Sequence, residues 1–377
     1  MYKIPLFKLN YDDKEKKAIQ KVIETEWLTM GKQTITLEKN FSNLIKGKVH
    51  SVAVASCTAA IHLSLLSLNL KKSDEVIVPS LSFISQINII KNLGAKPVLI
   101  DCTSLDNWNL NIEHVKNNIT KNTKAIIILH YAGFPCLIDD ELIKTCKKRN
   151  ILIIEDVAHA PGAKIGKDFC GSIGDIGCFS FFSNKNISAG EGGMITTKNI
   201  KLAQKLKYLR SHGMTQLSLD RKLGRTSKYD VVVPGLNYRI DELRSSLANV
   251  QISKLKQANL KRKKIFKFYQ KALRAQPISL PFQKISYDFN AAYHIFPILL
   301  PKKLNRQVLI EKLKEQGVQS SVHYPAFWSF SAYKNIFKKK KYPFCMEICD
   351  RQLTLPLFPS MTEENVEFVL NKLKKFL

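Results

Sequence analysis

Nowhere does this 377-residue chain contain the roughly 20 consecutive apolar residues needed to cross a bilayer. Its opening stretch, "MYKIPLFKLNYDDKEKKAIQ", lacks the apolar block of a secretion signal, so the sequence reads as that of a cytoplasmic protein with no membrane partner. C-x-x-C pairs are missing as well. The eight cysteines are scattered through apolar and loop segments, which argues for reduced thiols and against a disulfide or metal framework. Cys345 and Cys349 would lie one helical turn apart, with no histidine or further cysteine near enough in sequence to complete a metal site. Acid is scarce too: 31 Asp and Glu stand against 59 Lys and Arg, a net charge of +28. An excess of that size calls for a polyanionic partner to be considered. The charge is mostly lysine, however, and its densest runs, "KRKKIFKFYQK" from Lys261 and the four lysines 338–341, carry no arginine-rich tract, zinc-finger spacing or aromatic RNA-binding signature. Specific nucleic-acid binding is therefore not expected, and the positive field favours small phosphorylated ligands. Repeats and low-complexity linkers are also lacking.

What is present is a pattern of short β-branched runs alternating with helical stretches between Val52 and about Thr197. The runs are "SVAVAS", "DEVIVPS", "KPVLIDC", "KAIIILHYAG", "ILIIEDVAHA", "GCFSFF" and "GGMITT". Continuously apolar strands are buried on both faces, so they imply a sheet covered by helices, an α/β domain. A Pro-Gly break then precedes a helical periodicity from about Asp241 to Leu273. Beyond it, "AAYHIFPILL", a helix near Arg306 to Gln316, "VQSSVHYP" and "TEENVEFVLNKLKKFL" suit a smaller α+β domain. The expected division is 1–250 and 251–377.

Ligands of open α/β sheets gather beyond the carboxyl ends of the strands. After "ILIIE" comes Asp156, with His159 three residues on. "GCFSFF" is followed by Lys185, with Ser180 five residues earlier, in a loop closed by "GEGG". "SVAVAS" leads to Thr58 and Ala59 at a predicted helix start, where unpaired N–H groups and the dipole can cradle a phosphate. Phe83 follows "DEVIVPS" at a strand-to-helix turn, where its ring could stack on a flat ligand. Each has an ordinary reading: Asp156 or Thr58 as a helix cap, Phe83 as core, Lys185 as a solvated lysine. Jointly they match what pyridoxal phosphate needs, namely a lysine for the Schiff base, an acid at the pyridine nitrogen, a stacking ring and an anion cradle.

These residues resemble the DegT/DnrJ/EryC1/StrS family of sugar aminotransferases, pyridoxal-phosphate enzymes of fold type I, the aspartate-aminotransferase fold. Matching stretches, among them "SCTAAIHLSL", "IEDVAHAPGAKIG", "GDIGCFSFFSNKNISAGEGGMITT", "PGLNYRIDELRSSL" and "LTLPLFPSMTEENV", run through most of the chain. The resemblance implies a large three-layer α/β/α domain with a mostly parallel sheet and a smaller C-terminal α+β domain. It makes Lys185 the Schiff-base lysine, Asp156 the partner of the pyridinium nitrogen and His159 a neighbour of the phenolic oxygen. Thr58, Ala59 and Ser180 become phosphate-binding positions, and Phe83 covers the ring. Asn237, in "GLNYR", would reach the phosphate of the neighbouring subunit, which implies a homodimer with shared active sites. The implied reaction moves an amino group from an amino acid, glutamate in relatives, to a nucleotide-linked keto sugar for polysaccharide or lipopolysaccharide synthesis. Dehydratase members carry histidine in place of the lysine, so Lys185 points away from them. The stretches "HYAGFPC" and "EDVAHA" look closer to members aminating C4 of a 4-keto-6-deoxy sugar than C3. A non-catalytic regulator of the same fold is the remaining alternative. Two departures stand out: Cys57 occupies a position often held by Gly or Ala, and Phe327 and Trp328 occupy a loop where the family often has a second histidine and which faces the sugar in relatives.

Overall fold

The computed structural model describes residues 2–46, 48–216, 219–220, 223–224, 228–334, 336–337 and 339–377, so Lys338 of the tetralysine run lies outside the described residues. The chain opens with α1 (Asp13–Glu24) and α2 (Lys32–Ile45). Strands and helices then alternate: β1 (His50–Val54), α3 (Cys57–Leu66), β2 (Glu75–Pro79), α4 (Ser85–Asn92), β3 (Lys96–Ile100), α5 (Ile112–Asn117), β4 (Thr123–Leu129), α6 (Asp140–Arg149) and β5 (Leu152–Asp156). Two short strands, β6 (Lys164–Ile165) and β7 (Asp168–Phe169), precede β8 (Ile176–Ser180), β9 (Gly193–Thr197) and α7 (Ile200–Arg210). The remainder comprises α8 (Glu242–Leu273), β10 (Phe289–Asn290), β11 (Phe296–Leu299), α9 (Arg306–Glu315), α10 (Pro343–Arg351), β12 (Gln352–Leu355) and α11 (Glu363–Lys374).

All seven apolar runs became strands of one sheet, in the order β1-β9-β8-β5-β4-β2-β3. Pairing is parallel except at β9, which runs antiparallel to both β8 and β1. Successive residues of the central strands feed opposite layers. Ile154, Ile127, Val76 and Val78 pack into a cluster with α3 and α4, while Ile153, Ile126, Ile128 and Ile77 pack with Val115, Leu142 and Cys146 on the other side. Burial on both faces is why these strands read as unbroken apolar runs, and the result is the expected α/β/α sandwich with a mostly parallel sheet.

Helix α8 begins as its sequence predicts, with Asp241 accepting a hydrogen bond from Arg244 N. Its buried positions, among them Gln251, Leu255, Ala258, Arg262, Ile265, Tyr269 and Leu273, recur every three or four residues, one continuous stripe. Leu247, Ala248 and Leu255 belong to the core beneath β8 and β9; Ile265, Phe266, Tyr269 and Leu273 belong to a second core with β11, β12, α9 and α11. β11 and β12 pair antiparallel, and Ile4 bridges to Val318 at the edge of this C-terminal layer. Cys345 and Cys349 lie in α10 with their sulfurs 3.7 Å apart, and all eight cysteines are free thiols. Among the described residues no helix is long and apolar enough to cross a membrane.

The start of α2 has no capping side chain of its own. Glu242, in the first turn of α8, supplies one from a distance: its buried carboxylate accepts from Gly31 N, Gln33 N, Thr34 N and the Thr34 hydroxyl at 2.7–2.9 Å. One side chain thereby satisfies the orphan donors of a helix start more than 200 residues away. Glu242→Ala leaves those donors without their acceptor and is expected to cost about 3 kcal/mol, read as a lowered midpoint of denaturant unfolding with an unchanged slope.

Candidate active site

β5 and β8 are parallel neighbours with Asp156 opposite Cys178, so the alternation of the pleat puts Asp156, Cys178 and Ser180 on one face at the carboxyl ends of their strands. Helix α3 starts on that same face. Gly193, at the start of β9, allows the close approach, because a Cβ there would lie 2.6 Å from the Ser56 carbonyl carbon. Together they border a cleft of about 420 Å³ whose walls also include Phe83, His159, Asn184, Lys185, Val322, His323 and Tyr324.

Six of the eight residues predicted from sequence line this cleft: Thr58, Phe83, Asp156, His159, Ser180 and Lys185. Ala59 is buried just behind the wall with its N–H donated to Ser56 Oγ at 3.0 Å. Asn237 stands outside, exposed, and among the described residues its side chain accepts a long 3.5 Å contact from Arg239 N. The cap of α3 is Ser56, not Thr58, and the helix begins one residue earlier than the sequence suggested. Thr58 is thereby spared from capping and lines the cleft. Phe83 is 52% exposed, which rules out the core reading; its ring lies 5.6 Å from that of Tyr324. Phe327 is core, and Trp328 stacks on Tyr342 at 5.9 Å; neither borders the cleft.

Asp156 sits at the floor, 4% exposed. Gln86 Nε2 donates to its Oδ2 at 2.7 Å and Ala158 N to its Oδ1 at 3.1 Å. Burial raises its pKa above the ordinary carboxylate value, opposed by those two hydrogen bonds and by the positive charge of Lys185. Lys185 shows the converse: burial brings its amine down to about 8, with Asp156 and then Cys57 pulling the other way. An amine near neutrality is one that can act as a nucleophile and as a proton carrier.

Two site residues escaped the sequence reading, His294 and Tyr324. Lys185 Nζ lies 3.4 Å from His294 Nε2, 109 residues away in the chain. Tyr324 Oη lies 2.6 Å from His159 Nε2. A backbone N–H can only donate, so Ala132 N at 3.2 Å from Nδ1 leaves that nitrogen unprotonated and puts the proton of the neutral ring on Nε2, directed at Tyr324. Burial, then the charges of Lys185 and His323, hold His159 well below the ordinary histidine value and keep it neutral. The hydroxyl hydrogen of Tyr324 is then available to a ligand. Both residues stand in stretches, "AAYHIFPILL" and "SVHYP", whose polar members interrupt apolar runs, the one signal that could have drawn attention to them.

With the site laid out, comparison with other proteins is informative. Residues 10–374 match the DegT/DnrJ/EryC1/StrS aminotransferase family, and the chain belongs to it. Among curated relatives it is similar to the uncharacterized protein MJ1066 of Methanocaldococcus jannaschii, 35% identical over 381 residues covering 99% of this chain and 97% of the other. Among solved structures it is similar to Spr1654 of Streptococcus pneumoniae in its PLP-form, described as a sugar aminotransferase, at 26% identity and TM-score 0.89 over 100% of both chains. It is similar, too, to Helicobacter pylori PseC, an aminotransferase involved in the biosynthesis of pseudoaminic acid, at 25% identity and TM-score 0.87 over 100% of this chain and 98% of that one.

The depressed Lys185 amine carries a stability signature. Between about 8 and 10.5 the unfolded chain keeps a proton on this residue that the folded chain has lost, so stability rises with pH across that window. Below it the folded state bears the full cost of a desolvated charge. Lys185→Met is expected to raise the melting temperature of the coenzyme-free protein at neutral pH, with an advantage that shrinks as pH climbs past 8 towards 10.5. Melting curves over a pH series check it.

Proposed function

We propose that this aminotransferase uses pyridoxal 5'-phosphate, held in the 420 Å³ cleft, to move an amino group from glutamate to C4 of a nucleotide-linked 4-keto-6-deoxy sugar, a step in surface polysaccharide or lipopolysaccharide synthesis in the cytoplasm. The observation that carries the reading is the meeting of an amine near neutrality, a buried carboxyl, an exposed aromatic ring and a helix start around one cleft. The donor set fits the coenzyme. At the start of α3, Ala59 N is taken by Ser56 Oγ and Ala60 N by Ser56 O, which leaves the N–H groups of Cys57 and Thr58 for a phosphate, with the Thr58 and Ser180 hydroxyls beside them. Asp156 suits a pyridinium nitrogen, Phe83 the face of the ring, and the His159–Tyr324 pair a phenolic oxygen.

Bound there, the coenzyme supplies an aldehyde for the migrating amino group and a ring that accepts electrons. Lys185 would hold that aldehyde at rest and, once displaced by the donor's amino group, carry protons to and from the substrate carbon. Asp156 would keep the ring nitrogen protonated, its carboxylate fixed in direction by Gln86 and Ala158. Asn237 is exposed and is not among the residues lining its own cleft, which fits the resemblance's assignment of it to the phosphate held by the other protomer of a homodimer. The two cores joined by α8 support a division into a coenzyme domain, 1–250, and a small domain, 251–377.

Asp156→Asn is expected to lower kcat by about a hundredfold or more while changing KM for the amino donor little, measured by steady-state kinetics. Incubation with glutamate and a panel of UDP-, GDP- and dTDP-linked keto sugars, followed by mass, tests the substrate. Amine gain by 4-keto sugars is the expected result; amine gain confined to 3-keto sugars would overturn the C4 assignment, and a colourless protein that aminates nothing would overturn the reading.

A further inference from the structure

His294 is not one of the residues that the chemistry of the coenzyme calls for, yet its ring is fixed from several sides. Asn186 Nδ2 donates both its hydrogens, to Asn259 Oδ1 and to Ala292 O at 2.8 Å each, so Asn186 must face His294 with its oxygen. That oxygen lies 2.9 Å from His294 Nδ1 and can only accept, which places the imidazole hydrogen on Nδ1. Asn259 is anchored in turn by donating to Pro161 O at 3.0 Å. The backbone is held as firmly: His294 N donates to Ala132 O, and the buried Arg262 guanidinium donates to His294 O at 3.0 Å. His159 packs against the ring face at 4.5 Å. With the hydrogen on Nδ1, the lone pair of Nε2 is directed at Lys185 Nζ, 3.4 Å away.

We infer that His294 is a positioning residue for the free amine of Lys185, an acceptor fixed by the Asn259–Asn186 relay that takes an N–H of Nζ whenever the lysine is not attached to the coenzyme. This rests on the reading of Lys185 as the attachment point. No covalent bond forms or breaks in the contact. A displaced lysine must stay near the reacting carbon, and a flexible four-carbon stem does so only with an acceptor to hold it. The ring serves as an acceptor and not as a base, because burial, followed by the charges of Lys185, His159, Arg262 and His323, holds His294 well below the ordinary histidine value. The groups that face the amine are therefore Asp156 and Cys57 from one side and the neutral rings of His294, His159 and His323 from the other.

An acceptor stabilises the charged amine more than the neutral one, so losing it lowers the amine's pKa further. The test uses the coenzyme-free protein: competitive labelling of its amines with acetic anhydride over a pH series, read by peptide mass spectrometry at Lys185. In the wild type the labelling midpoint should lie near 8. His294→Leu should move it down by about one pH unit, the size expected for loss of a hydrogen bond to a charged group. His294→Gln, which retains an acceptor, should restore most of the shift. Asn186→Ser, which frees the imidazole to move its hydrogen to Nε2, should lower the midpoint too and covers the case in which His294→Leu does not fold. An unchanged midpoint in a folded His294→Leu or Asn186→Ser protein overturns the inference. The labelling needs neither coenzyme nor substrate, so failure of the transamination reading would show separately, as wild-type protein that does not take up pyridoxal phosphate on Lys185.

Discussion

The site depends on placing an amine and a buried carboxyl in the same cleft. Burial favours the neutral form of both, raising the pKa of Asp156 and lowering that of Lys185, which comes to about 8; each group's charge opposes the other's shift. The outcome is a lysine that can change protonation state near neutral pH and an acid that still has reason to ionise beside a cation. The sheet supplies the means. Asp156 and Ser180 end parallel strands with their side chains on one face, and α3 starts on that face because Gly193 lets the backbones close in.

Much of the chain beyond the sheet fixes directions for these few groups. Gln86, at the start of α4, aims the Asp156 carboxylate. On the opposite face of β5, Glu155 accepts from Gly171 N, Ile173 N and Gly174 N and pairs with His130, tying down the loop that leads into β8. The C-terminal layer contributes His323 and Tyr324 to the cleft wall and sets His294 against Lys185, so the site is complete only when both cores are in place. Helix α8, buried in one core at Leu255 and in the other at Ile265, holds the two together.

The strands were legible because burial on both faces leaves unbroken β-branched runs, and the site residues because they follow those runs directly. Lys185, Asp156 and Phe83 could be named from that rule and from the family resemblance. The reversed direction of β9 was not legible, since apolar content carries no information on strand polarity. Ser56 was overlooked in favour of Thr58 because two hydroxyls on either side of Cys57 compete for one cap and only the backbone angles decide. His294 and Tyr324 reach Lys185 and His159 across 109 and 165 residues of sequence, contacts that local pattern cannot foresee. The role given to Asn237 rests on resemblance alone, because a contact between protomers cannot be read from the geometry of one chain.

The central claim is that the coenzyme is carried on one particular amine out of the many this lysine-rich chain offers. Borohydride reduction of protein loaded with pyridoxal phosphate, followed by proteolysis and mass spectrometry, tests it most directly. The account predicts a reduced phosphopyridoxyl group on the peptide containing Lys185 and its loss in Lys185→Ala. Fixation on a different lysine, or on none, would contradict it.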